Sequence, residues 1–104
     1  MRVIKTTFGG PGFSLNYLLK VSLRDPATLD FGTVVMPPGC RQPQEGFSRH
    51  AGEEISLVLK GRSVIEHPGG RTEVGPGDLV HIAAGEAHAT VALEECHVLF
   101  ALAG

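Results

Sequence analysis

A chain of 104 residues, 42% hydrophobic and 19% charged, is the size of one compact core and too apolar, at a net charge of −2, for wholesale disorder. Its bases are scattered singly and its aromatics make up 6% of the chain, so it lacks the clustered Lys and Arg of a nucleic-acid surface. No stretch approaches the roughly 20 apolar residues that span a bilayer, and Met1-Arg2-Val3-Ile4-Lys5-Thr6-Thr7 has no signal-like apolar run; the expectation is one cytoplasmic domain over residues 1–104 with neither nucleic acid nor membrane as a partner.

Glycine (14) and proline (7) make up about a fifth of the chain and come in clusters. Glycine supplies positive φ and proline fixes φ near −65°, so each cluster marks a tight turn. Gly9-Gly10-Pro11-Gly12 comes first and opens no helix, unlike a phosphate loop. Over residues 13–23, Phe13, Leu15, Tyr17, Leu19, Val21 and Leu23 alternate with polar neighbours, which predicts a core strand. After Pro37-Pro38-Gly39, residues Ile55, Leu57 and Leu59 alternate with Ser56, Val58 and Lys60 and end at Gly61. Pro68-Gly69-Gly70 predicts a hairpin turn, followed by Thr72 and Val74, then by the Gly75-Pro76-Gly77 turn. Short apolar segments at 79–82, 89–93 and 98–102 complete the series; Gly85 and the β-branched Thr90 and Val91 favour strand over helix in the residues between. Many short strands separated by turn signals predict an all-β sandwich or barrel, with no internal repeat and no linker. Cys40 and Cys96 have no C-x-x-C spacing and are expected to be free thiols.

Chemistry concentrates on histidine. Of His50, His67, His81, His88 and His97, the first is followed at the fourth position by Glu54, and His88 lies in a second segment beyond the Gly77-Asp78 turn. Two imidazoles and a carboxylate suit a divalent transition metal and leave coordination positions open, and inward residues of different strands converge inside a small barrel. Period-two parity sets Ser48 and His50 on one face, with Glu54 returning on the next strand after Ala51-Gly52-Glu53. Glu53 and Arg49 should point away from the site. His67, beside Pro68, should be solvent-exposed, and His81 and His97 are expected to be ordinary strand residues. Ser48 has no nucleophile elbow around it.

These residues resemble a known family, the small single-domain cupins, over about residues 33–102. Ser48-Arg49-His50, three residues, Glu54, six residues and Gly61 resemble the end of that family's first motif (about 39–61). Gly77, five residues, Ala83-Ala84-Gly85, two residues, His88, three residues and Ala92 resemble its second motif (77–92). The resemblance implies a double-stranded β-helix, or jelly-roll, barrel and the metal ligands His50, Glu54 and His88. The family's first metal histidine falls on Ser48, its proline on Ala83 and its terminal asparagine on Ala92. A serine hydroxyl is a poor ligand, which lowers the expected affinity; water, or an amide oxygen of Gln42 or Gln44, would fill the fourth position. Fe(II), Mn(II), Ni(II) and Zn(II) all suit such a set. Related proteins are usually dimers, and an N-terminal strand such as 13–23 often contributes to that contact.

Three functions stay open: a metal-dependent enzyme on a small organic molecule, of oxygenase or isomerase/cyclase type; a metal-free enzyme with His50 or His88 as general base; or a non-catalytic small-molecule sensor. Phe47 and Phe100 are the expected walls of a small, partly apolar pocket.

Overall fold

The computed structural model describes every residue except Thr7, Gly10 and Asp25, so Gly10 of the first turn cluster lies outside the described residues. The described chain is cut by its Gly- and Pro-rich turns into β1 (Ser14–Ser22), β2 (Thr28–Met36), β3 (Arg41–Gln42), β4 (Glu53–Lys60), β5 (Ser63–His67), β6 (Gly70–Val74), β7 (Leu79–Ile82), β8 (Ala89–Ala92) and β9 (Cys96–Ala103), with no helix among these residues. The strands form two antiparallel sheets, one in the order β1-β2-β9-β4-β7 and one in the order β3-β8-β5-β6. Their facing sides enclose a cavity lined from the first sheet by Val34, Val58 and Phe100 and from the second by Ser63, Ile65 and Thr90. This is the jelly-roll arrangement.

β9 is the middle strand of the larger sheet, paired with β2 and β4. Its sequence, Cys-His-Val-Leu-Phe-Ala-Leu-Ala, is apolar on both faces apart from His97, and all of its residues are buried or half-buried. Val98, Phe100 and Leu102 face the cavity. On the other face Phe8 of the N-terminal segment stacks on His97 at 4.8 Å, beside its cross-strand neighbour Val35, which is 1% exposed.

β1 departs from the expected core strand. Its register against β2 shifts between Tyr17 and Leu19, so Leu18 is the extra residue of a bulge and the alternation breaks there. It is also an edge strand: Leu15 and Tyr17, with Phe13 just before the strand, line the mouth of the cavity yet stay 46%, 61% and 45% exposed. The hairpin at Pro68-Gly69 is present, with His67 opposite Gly70; His67 closes β5 half-buried, less exposed than its turn position predicts.

Both cysteines are free. They meet in one cluster with Met36 and Ala92, where Cys96 donates to the carbonyls of Arg62 (3.2 Å) and Glu94 (3.3 Å). Burial raises the Cys96 pKa, which keeps the thiol protonated and unreactive.

Gly61 ends β4 at φ 81°, and a Cβ there would overlap the Glu95 carbonyl that precedes β9. Gly61→Ala is therefore expected to lower stability by about 2–4 kcal/mol, from left-handed backbone strain plus the clash. A urea midpoint unchanged from the parent would contradict this.

Candidate metal centre

The centre is assembled from one loop, strand β4 and the residue that immediately precedes β8. Ser48 forms an isolated bridge with His88: Ser48 N donates to the His88 carbonyl at 2.8 Å and His88 N to the Ser48 carbonyl at 3.0 Å. The Gly85 amide then donates to the His50 carbonyl at 2.8 Å. These bonds fasten residues 48–50 along the turn that precedes β8 and set the His50 and His88 rings 4.9 Å apart at 48°. Glu54 comes from the cavity side of β4, between Leu102 of β9 and Ile82 of β7.

Each of the three side chains is held. His88 is 7% exposed, and its Nδ1 lies 3.1 Å from the Glu86 carbonyl. A carbonyl only accepts, so Nδ1 carries the proton and Nε2 keeps its lone pair, the arrangement that second-sphere hydrogen bonds impose on metal-binding histidines. His50 Nε2 is 3.1 Å from Glu54 Oε1. The buried Ser56 hydroxyl donates to Glu54 Oε2 at 3.2 Å. One ligand atom from each of His50, Glu54 and His88 lies within 4.8 Å of the others. Metal–ligand bonds of about 2.0–2.2 Å place neighbouring ligand atoms roughly 3–3.5 Å apart, so the His50–Glu54 pair already stands at that spacing. The donor set and its supports fit a divalent transition metal.

Ser48 also lines the cavity. It does so from a loop rather than from the expected strand: residues 48–50 pair only through the single bridge, and it is this bridge, not strand parity, that aims Ser48 and His50 into one space. Of the two glutamines, Gln42 lines the cavity, whereas Gln44 is exposed and outside the lining. Phe47 is not a wall; it is 47% exposed beneath the Arg41 guanidinium, 5.9 Å away. Phe100 is a wall. It fits because Gly32 opposite has no side chain; a Cβ there would overlap the Phe100 ring. Tyr17 closes on Phe100 edge to face, with centroids 5.7 Å apart at 86°.

The remaining candidates lie elsewhere. Arg49 is exposed and donates to the Gly85 carbonyl at 2.7 Å. Glu53 is half-exposed, accepts from the Ala84 amide and lies 3.6 Å from His81 Nε2. His97 Nε2 is 3.1 Å from Glu95 Oε2; Lys60 first, and His97 second, lower the Glu95 pKa through their hydrogen bonds. Reading from the sequence missed Ser56 and the Glu86 carbonyl. Ser56 had a signal, since it shares strand parity with Glu54; the carbonyl had none. The cavity measures about 250 Å³.

The sequence pattern of the cupin domain family matches residues 32–102. Among solved structures, KdgF from Halomonas sp. superposes with a TM-score of 0.72 at 21% identity, over 98% of this chain and 86% of that one. An RmlC-like cupin from Shewanella frigidimarina NCIMB 400 superposes with a TM-score of 0.69 at 16% identity, over 97% and 82%. The DMSP lyase DddQ from Ruegeria pomeroyi DSS-3 gives 0.71 at 27% identity, over 89% of this chain and 47% of that one. No curated protein matches the chain.

Proposed function

The chain belongs to the cupin domain family, and we propose that His50, Glu54 and His88 hold a divalent transition metal at which a small organic molecule is bound and converted. The observation that carries this reading is the meeting of three ligand atoms within 4.8 Å at one wall of an otherwise largely apolar cavity. When bound, the metal supplies Lewis acidity or, if redox-active, oxygen activation. The protein's own groups do the positioning. The Glu86 carbonyl orients the His88 ring, and Ser56 holds one oxygen of Glu54 while the other faces His50. Phe100 and Tyr17, packed edge to face, present an aromatic wall to one side of the bound molecule. The 27% likeness to a lyase, over about half of that protein, supports a catalytic role over a sensing one.

The reaction type is an oxygenation or an isomerisation/cyclisation. Fe(II)-loaded protein that consumes oxygen with a dicarbonyl or hydroxyacid panel supports the first. Zn(II)- or Mn(II)-loaded protein that converts the same panel under argon supports the second. Saturable binding without turnover under either condition leaves a sensor and overturns the enzyme reading. The 3.1 Å contact between His50 and Glu54 favours one competitor, a metal-free enzyme in which Glu54 supports His50 as the base; turnover that survives chelation would select it.

The same proposal takes the protein as a cytoplasmic homodimer. Edge strand β1 pairs on one side only and leaves Leu15 and Tyr17 half-exposed, the kind of open edge a second copy covers.

A further inference from the structure

Among the described residues lining the cavity, Glu54 is the one acidic side chain and there is no lysine or arginine. The arginines of the flanking segments are engaged elsewhere. Arg49 is exposed and bonded to the Gly85 carbonyl at 2.7 Å, while Arg41 is bonded to Glu66 Oε1 at 3.1 Å and to the Pro43 carbonyl at 2.8 Å. Metal-binding imidazoles are neutral and a metal-binding carboxylate is anionic. A divalent ion on His50, His88 and Glu54 thus keeps one net positive charge. Away from the ligands the wall is uncharged, with Val58, Ile65 and Phe100 set beside the hydroxyls of Ser63 and Thr90 and the amide of Gln42. An uncompensated charge against such a wall is strongly disfavoured.

Resting on the metal reading above, we propose that the ligand of this site is a singly charged oxygen chelator carrying a small apolar remainder of about ring size. Its chemistry is that of a 2-oxo or 2-hydroxy carboxylate. Two adjacent oxygens suit the positions that a two-histidine, one-carboxylate set leaves open. One negative charge brings the site to neutrality. A neutral chelator leaves the positive charge standing, and a dianion places a second negative charge where no lysine or arginine among the described lining residues receives it. Tyr17 and Phe100, crossed at 86°, form the surface for the remainder. The volume of about 250 Å³ is below the roughly 300–1,000 Å³ of pockets for drug-sized ligands, which limits that remainder.

The test uses three probes on one skeleton: 1-phenyl-1,2-propanedione (neutral), benzoylformate (one negative charge) and 3-carboxybenzoylformate (two). Each is titrated calorimetrically into Zn(II)-loaded protein of measured metal content and into protein stripped by chelator. The expected result is that benzoylformate binds at least tenfold more tightly than either analogue, and that stripping abolishes this order. Equal or tighter binding of the neutral or the doubly charged analogue overturns the charge assignment while the metal reading stands, as does no binding of any probe at millimolar concentration. Protein that retains no Zn(II) overturns the metal reading itself, before any probe is added, and this proposal with it. Phe13→Lys places a cation at the half-exposed cavity mouth, and circular dichroism verifies its fold. It should raise the affinity for 3-carboxybenzoylformate relative to benzoylformate at least tenfold; an unchanged ratio of the two affinities overturns the proposal.

Discussion

Replacing His88 by alanine should empty the metal centre while the barrel stays folded. The substitution removes a ligand whose Nε2 is freed by the bond between Nδ1 and the Glu86 carbonyl, and it leaves His50 and Glu54 as a two-point site. Loss of a supporting hydrogen bond alone typically lowers metal affinity about 10–100-fold; loss of the ligand should exceed that range, so that metal content after dialysis falls below a tenth of the parent's. The fold persists for a local reason. The bridge to Ser48 uses His88's backbone, which alanine keeps, and the β8 ladder to β5 begins at Ala89. Elemental analysis and far-UV circular dichroism on the same sample check both halves. A His88→Ala protein that holds as much metal as the parent means the ligand set is wrong.

Ser48→His should act in the opposite sense, raising metal affinity about 100-fold. Ser48 and His88 exchange both backbone hydrogen bonds, and residues so paired project their side chains to the same side, with Cα atoms about 5.5 Å apart. Both already line the cavity. A histidine at 48 would therefore bring its ring beside His88 and supply a fourth nitrogen where the serine hydroxyl is a poor ligand. Competition against a chromogenic chelator measures the gain. Affinity equal to or below the parent's would show that position 48 does not face the centre.

The parts of this architecture that sequence reading reached are those with a local cause. Leu79–Ile82 stands out as a strand because turn residues bound it on both sides, and His50, Glu54 and His88 stand out because their spacing is that of two short motifs. Strand β2 carries no comparable signal. Thr33 and Val35 on one face of β2 are 1% exposed while Val34 and Met36 on the other face line the cavity, so its pattern has no period of two. The alternation over 13–23 is real up to Tyr17 and is broken by a bulge that only pairing with β2 reveals. Phe47 and Gln44 were misplaced for a related reason. Their segment is a loop whose direction is set by the Ser48–His88 bridge and by Arg41, contacts that join residues far apart in the chain.

The most direct test of the metal centre is elemental analysis of untagged protein purified without chelator, repeated after exposure to Fe(II), Mn(II), Ni(II) and Zn(II) and exhaustive dialysis. Close to one divalent metal per chain is the predicted result, for at least one of the four. Less than a tenth of an equivalent after every challenge would contradict it, and would leave His50, Glu54 and His88 as a hydrogen-bonded polar cluster in a cavity that binds its ligand without metal.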